Sequence, residues 1–380
     1  MKQFGHRWAI VAGLLAAAPP LAWATATPPA SLRFADQDWE ITCDNTRTCR
    51  AAGYHAAAAG GAGAESDEGG ALPVSVLLTR RAGPRQPVQG TLQLGHPGEG
   101  AGAAGWPPVL MLTMRVDGAP AGELAIEQDN WTAPLAPAHT ALLVTALGRQ
   151  GTVAWSDGTR TWRLSSAGAA AVLARMDAFQ GRAGTRAAAI DAGAADESRV
   201  LPPLPPPVVQ AAPVPADDSV RLPASAMKRL RAALAASSRE CAAGGLDDAM
   251  ADLAVRRLSA TKLLVSMRCT VAAYNDGAAY WVINAAPPYR PQLVTLFASG
   301  YAGGSLNASL KLHSGGDCWA YDTWTWDGRR FVHSAQETSG DCRGINAEGA
   351  WSLPQLVTTV LPTADSGGAA RRSARAPAGR

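Results

Sequence analysis

Between Arg199 and Pro223 the chain reads RVLPPLPPPVVQAAPVPADDSVRLP. Proline has no backbone N–H and a fixed φ, so such a run cannot continue a helix or sit inside a sheet. The stretch is expected to extend as polyproline II and act as a semi-rigid spacer. At 380 residues the chain is long enough for two ordinary domains, and this stretch falls between them. The expected layout is a signal peptide over 1–24, an N-terminal domain over 25–198, the Pro-rich linker 199–223, a C-terminal domain over 224–365 and a basic, disordered tail over 366–380.

The N-terminus carries the parts of a secretory signal. Lys2 and Arg7 supply the positive region, Trp8 to Ala18 the apolar one, and Ala22-Trp23-Ala24 or Ala24-Thr25-Ala26 a small-residue cleavage site. The apolar run is too short to span a bilayer and no later run is long enough, so no integral membrane segment is expected in the mature chain. The expected compartment is the periplasm. Loss of Lys2 and Arg7 takes the net charge from +3 to +1, and setting aside Arg371, Arg372, Arg375 and Arg380 leaves about −3 for the body. That leaves no basic face for nucleic acid.

An oxidising compartment gives meaning to the six cysteines, Cys43, Cys49, Cys241, Cys269, Cys318 and Cys342. Six allow fifteen connectivities, of which pairing of sequence neighbours is the simplest: Cys43–Cys49, Cys241–Cys269 and Cys318–Cys342. No C-x-x-C occurs, and the histidines have no ligand-like spacing, so neither a redox motif nor a metal site is expected. No phosphate loop or other cofactor motif is present, and no cofactor is expected.

The pattern along the chain is mostly that of strands. Trp39, Ile41 and Cys43 alternate with Glu40 and Thr42, and Asp44 to Thr48 turns the chain into a second strand. Closing so short a loop with Cys43–Cys49 would contribute on the order of 2–2.5 kcal/mol. His55 to Gly70 is rich in Ala and Gly and is expected to be a flexible insertion. Strands are expected at Pro73–Arg80, Val88–Leu94, Val109–Val116, Leu124–Ile126 and Ala141–Ala146. VAWSDGTRTWRL is expected to form a hairpin with a type I′ turn at Asp157-Gly158. The period then changes: Val172, Leu173, Met176 and Phe179 or Gln180 form a helical stripe, with Ser165 or Ser166 as cap.

The second half opens with a helix from Ser225 to about Cys241, with Ser225 as cap. Strands follow at Lys262–Val271, Ala279–Asn284, Leu293–Phe297, Ser305–Lys311, Tyr321–Trp326 and Arg330–Gln336, and AWSLPQLVTTVL adds a last short element. The class expected is α+β: two β-rich, mainly antiparallel domains, each with a packed helix, joined by the Pro-rich linker and stapled by disulfides.

Four stretches, WEITCDNTRTCRAAGY, WRLSSAGAAAVLARMDAFQGRAGTRAA, CTVAAYNDGAAYWVINAA and WTWDGRRFVHSAQETSGDCRGINAEGAW, lie in order across nearly all of the mature chain. As a set they resemble the proteobacterial periplasmic family catalogued as domain of unknown function 1176. The first stretch also looks like the invasion-associated locus B family, whose members are small, secreted and disulfide-bearing. The resemblance implies a compartment and a layout. It implies no activity and no catalytic residues.

The chain holds 12 Trp against 6 Tyr and 5 Phe, and three of those tryptophans sit in DCWAYDTWTWDGRRFVHSAQETSGDCRG. With Asp327-Gly328 at the centre of a type I′ turn, Trp326 faces Arg329, Trp324 faces Phe331 and Asp322 faces His333. One hairpin face then presents Asp322, Trp324, Trp326, Arg329, Phe331 and His333. Buried, it is ordinary core. Exposed, aromatic rings with polar tips suit a sugar ring or a protein surface. An Asp–His pair could orient a general base, but a hydrolase also needs a nucleophile at the far imidazole nitrogen, and Ser334 points to the opposite face. The function expected is therefore a non-enzymatic envelope binding or interaction protein, its partner an envelope protein or a glycan. The alternative is a periplasmic hydrolase acting on cell-wall or carbohydrate substrate.

Overall fold

The computed structural model describes residues 31–57, 72–95, 106–235, 241, 253–269 and 274–362. The signal segment, most of the Ala/Gly-rich insertion and the C-terminal tail lie outside them. The described residues are β-rich and mainly antiparallel, with three helices among them, which is the α+β class expected.

The first half builds two sheets. Strands β1 (Leu32–Asp36), β2 (Trp39–Cys43), β3 (Cys49–Tyr54), β4 (Val74–Arg80) and β5 (Gln89–Leu94) run as a meander. Then β6 (Val109–Val116) and β7 (Ala119–Glu127) form a hairpin, β8 (Thr132–Pro134) returns to the edge of the first sheet, and helix α1 covers Pro137–Gly148. The strands β9 (Val153–Ser156) and β10 (Thr161–Leu164) complete a four-stranded sheet with β6 and β7, and helix α2 (Ala169–Gln180) closes this half. Between the sheets and helices lies one core, with Trp39, Ile41, Leu78, Leu112, Trp155, Trp162, Leu147 and Met176 all buried.

Two local expectations are corrected here. Ala141–Ala146 is not a strand but the middle of α1. The short window reads as β because of its Leu, Val and Thr, yet Thr140, Leu143, Val144, Ala146 and Leu147 are the buried positions, and Pro137 is set where a helix tolerates it. The cap of α2 is neither Ser165 nor Ser166 but Gly168, at φ +89°. A Cβ on Gly168 would lie 1.8 Å from the Asp36 carbonyl oxygen, so the turn of chain entering α2 admits glycine alone.

The second half has its own sheets. After β11 (Val208–Gln210) and helix α3 (Ala224–Leu234) come β12 (Ala254–Arg257), β13 (Lys262–Arg268), β14 (Ala278–Asn284) and β15 (Gln292–Ala298), paired in that order. A five-stranded sheet follows: β16 (Gly300–Ala302), β17 (Ser305–Lys311), β18 (Trp319–Trp326), β19 (Phe331–Thr338) and β20 (Leu353–Leu356), with β21 (Thr359–Leu361) last. One face of the β12–β15 sheet holds Val265, Met267, Ala279, Trp281 and Ile283 against Leu230 and Leu234 of α3. Its other face, with Leu264, Tyr280 and Val282, packs on Leu306, Ala308, Trp326 and Phe331 of the five-stranded sheet. The order is helix, sheet, sheet. Helix α3 is capped at Pro223 rather than Ser225, and its expected extension to Cys241 runs into residues outside those described.

Disulfides join Cys43 to Cys49, Cys241 to Cys269 and Cys318 to Cys342. The first clamps opposed residues of β2 and β3, the second ties the segment after α3 to the end of β13, and the third returns the chain after β19 to the start of β18.

The Pro-rich segment does contribute a strand, contrary to expectation. Val208-Val209-Gln210 opens a proline-free stretch that runs to Ala212, and it pairs in parallel with β21. The Leu204 amide also donates to Thr46, and Ala212 to the Trp326 carbonyl, so the segment touches both halves.

The halves meet over the face of the first sheet that carries Glu40, Thr42, Ala52 and Tyr54. Alternation marks Glu40 and Thr42 as solvent-facing, yet every residue of β2 is buried, because the segment after β19 folds over them. Ala52 and Tyr54 pack with Ile345 and Leu353. Tyr54 donates to Glu40 Oε1 at 2.8 Å and accepts from the Asp341 amide at 3.0 Å. Arg343 pairs with Asp38 at 2.9 Å, Trp351 Nε1 donates to Ser75 Oγ at 2.7 Å, and Asn45 makes two hydrogen bonds to the Val357 backbone. Burial pushes the Glu40 carboxyl and, more strongly, the Tyr54 hydroxyl above their ordinary pKa values.

Candidate binding site

The hairpin singled out in the sequence is β18–β19. Its turn is set one step further along than a type I′ Asp-Gly turn would place it. Trp326 pairs with Phe331, and Trp324 with His333. The Asp327 carboxylate accepts from the Arg329 and Arg330 amides at 2.8 Å each, and the Asp327 amide bonds to the Arg330 carbonyl. Only Gly328 takes positive φ, whereas a type I′ turn centred on Asp327-Gly328 requires it at both. The β9–β10 hairpin repeats this arrangement: Asp157 accepts from the Thr159 and Arg160 amides, and Ser156 pairs with Thr161. In both hairpins the aspartate's hydrogen bonds to its own turn, an alternative sequence spacing does not show, select the register.

This shift moves partners by two residues, so the two faces keep their members until a bulge between Thr323 and Trp324. Beyond it Asp322 pairs with Gln336, not with His333. The imidazole nevertheless reaches back diagonally, with Nε2 2.7 Å from Asp322 Oδ1. It lies flat on Trp324, ring centroids 5.0 Å apart and planes 20° apart.

The face divides in two. Trp326 (1% exposed) and Phe331 (8%) are core, with centroids 5.5 Å apart under the β12–β15 sheet. Trp324, His333 and Asp322 stay half-buried at the margin. Arg329 stands exposed at the turn, and Arg330, not singled out in the sequence, lines the groove. Across from these lie Val282, Gln292, Leu293 and Val294 of β14 and β15, enclosing an open groove of about 250 Å³. Leu293 is 46% exposed on its rim. The groove forms where two sheets meet, so its far wall has no local signal near the hairpin.

Chemically the groove offers a stacked indole–imidazole floor, an amide, a guanidinium and an apolar rim. Ser334 is turned away, bonded to Thr325 Oγ1 and the Thr323 carbonyl. Among the described residues no hydroxyl or thiol hydrogen-bonds to His333 Nδ1, the nitrogen a triad-like base would use. Near the third disulfide, Asp317 lies beside Cys318 and Cys342, but those sulfurs are bonded to each other and offer no thiolate. No helix among the described residues is long and apolar enough to cross a membrane.

Fold and site together define a disulfide-stapled protein of layered antiparallel sheets with a shallow aromatic groove between two of them. The chain belongs to the family described as Protein of unknown function (DUF1176), whose match runs over residues 33–358. No curated protein and no solved structure matches it.

Proposed function

We propose that this is an exported periplasmic protein that binds envelope glycan through the Trp324–His333 groove, without chemistry of its own. The observation that carries this reading is the stacked Trp324–His333 pair, half-buried on the groove floor with polar groups around it. A sugar ring presents an apolar face to an aromatic floor and hydroxyls to the rim. The groove encloses about 250 Å³ and is lined by eight residues, near the small end of ligand clefts and well under the roughly 20–30 residues a side of a stable protein–protein interface, which favours glycan over an envelope protein. Asp322 fixes the imidazole plane, so the floor is preorganised and little ordering entropy is lost on binding. The three disulfides and the signal-like N-terminus support the periplasm as the compartment.

The test is co-sedimentation of the mature oxidised protein with purified cell-wall sacculi, beside Trp324→Ala. Retention of the parent and loss of the variant is expected. Equal retention of both would remove the groove as the site. The Asp322–His333 pair at 2.7 Å also keeps a hydrolase reading in view. Release of new reducing ends from sacculi, abolished by His333→Ala, would replace the binding reading with that one.

A further inference from the structure

On the other side of Asp322 lies a second, smaller cavity, where the first sheet of one half meets the five-stranded sheet of the other. Arg33 and Thr42, paired across β1 and β2, form one wall; Asp322, Gln336 and Thr338 of β18 and β19 form the other, with Gln355 of β20 at the side. Two of the lining residues, Thr42 and Thr338, bury their Oγ1 hydroxyls without a hydrogen-bond partner. Their residues are 1% and 8% exposed. Buried hydroxyls are nearly always partnered, and an orphan loses the hydrogen bonds it made to water. Two orphans in the walls of one polar cavity mark a place built to receive something.

The charges say what. Asp322 Oδ1 is taken by His333, while Oδ2 has no hydrogen bond among the described residues. Arg33, exposed at the mouth of the cavity, makes no hydrogen bond through its guanidinium among the described residues, though its charge also acts on Glu40. The Glu337 carboxylate, also at the margin, is held by Ser352 Oγ at 2.5 Å. A carboxylate oxygen without a hydrogen bond on one wall and a guanidinium without one on the other match an ammonium and a carboxylate on one ligand. The volume is about 60 Å³, room for roughly four or five water-sized groups. That is too small for a sugar ring and fits the heavy atoms of the smallest amino acids.

We propose that this cavity binds a small amino-acid zwitterion, its ammonium on Asp322 and its carboxylate on Arg33, with the Thr42 and Thr338 hydroxyls completing the contacts. The ligand would bridge the two halves and so stabilise their docking. This site goes beyond the glycan groove and stands or falls separately from it.

The experiment is thermal melting and titration calorimetry of the mature protein with glycine, L-alanine and L-serine, and with acetate and methylamine as half-ligands. The amino acids are expected to raise Tm and give a saturable heat, and the half-ligands to bind at least ten-fold more weakly. Arg33→Gln and Asp322→Asn should each weaken amino-acid binding ten-fold or more. The double variant Thr42→Val, Thr338→Val removes the orphans at constant shape. It should melt higher than the parent in buffer and lose the amino-acid response. The proposal is overturned if no amino acid binds, if acetate binds as well as glycine (an anion site at Arg33 alone), or if the valine variant binds glycine as the parent does. None of these outcomes touches sacculus binding, which Trp324→Ala reads independently.

Discussion

His333 Nε2 sits 2.7 Å from Asp322 Oδ1 although neither residue is the other's strand partner. The bulge beside Trp324 makes this possible by shifting Asp322 opposite Gln336 and leaving the imidazole to lean diagonally over the indole. The carboxylate accepts, so Nε2 carries the donated hydrogen. Asp322→Asn keeps an acceptor oxygen and is expected to leave glycan affinity within about two-fold, whereas Asp322→Ala frees the ring and weakens it about five- to ten-fold, or ~1–1.4 kcal/mol. Titration of both variants with a soluble N-acetylglucosamine oligomer checks this; equal losses would mean that charge, not ring orientation, is what Asp322 supplies.

Trp326 and Trp324 are two residues apart on one strand face and have opposite roles. Trp326 fills the space between the two sheets of the second half, and Trp326→Ala is expected to destabilise by about 3–5 kcal/mol. Trp324→Ala removes a half-buried ring at the margin and should lower stability by clearly less than Trp326→Ala. Denaturant melts of the two variants decide, and similar losses would place Trp324 in the core.

Glu40 links stability to pH. Burial raises its carboxyl pKa in the folded state, the hydrogen bond from Tyr54 opposing this. A carboxyl that holds its proton more tightly when folded weakens the fold at pH above its folded pKa. The penalty is lifted as pH falls towards the unfolded value of about 4.5. Glu40→Gln stays neutral and keeps an acceptor for Tyr54. It is expected to melt above the parent at neutral pH, with the gap closing by about pH 4. A gap that is constant with pH would show that the Glu40 charge is not the cause.

Gly340 and Gly344 both hold positive φ in the segment that docks the halves, at +91° and +61°. A Cβ on Gly340 would stand 2.4 Å from the Tyr54 hydroxyl oxygen, whereas one on Gly344 meets nothing within 4 Å. Gly344→Ala should therefore cost only the left-handed strain, about 1–2 kcal/mol. Gly340→Ala adds a clash that parts Tyr54 from Asp341 and should cost about 1–3 kcal/mol more. Equal costs by chemical denaturation would argue against this docking contact.

The strands were legible wherever two-residue alternation and turn residues coincided. Val109–Val116 and Ser305–Lys311 come straight from the sequence as β6 and β17. Failures have identifiable causes. Ala141–Ala146 is too short a window to separate strand from helix, and the two Asp-Gly turns are governed by carboxylate hydrogen bonds that spacing does not show. The hairpin face was readable as a set of residues, because a two-residue shift preserves it. Which of them stay at the surface was not: Trp326 and Phe331 are buried by strands β13 and β14, and Glu40 and Thr42 by a segment some three hundred residues away. Arg330, Gln292 and Leu293 belong to the groove only because two sheets pack together.

The most direct test of the groove as the binding surface is calorimetric titration of the mature oxidised protein and of Trp324→Ala with the N-acetylglucosamine oligomer, both first shown to be folded by circular dichroism. Saturable binding by the parent, weakened at least ten-fold in the variant, is the predicted result. Saturable binding of equal strength in both, or none in the parent, would contradict it.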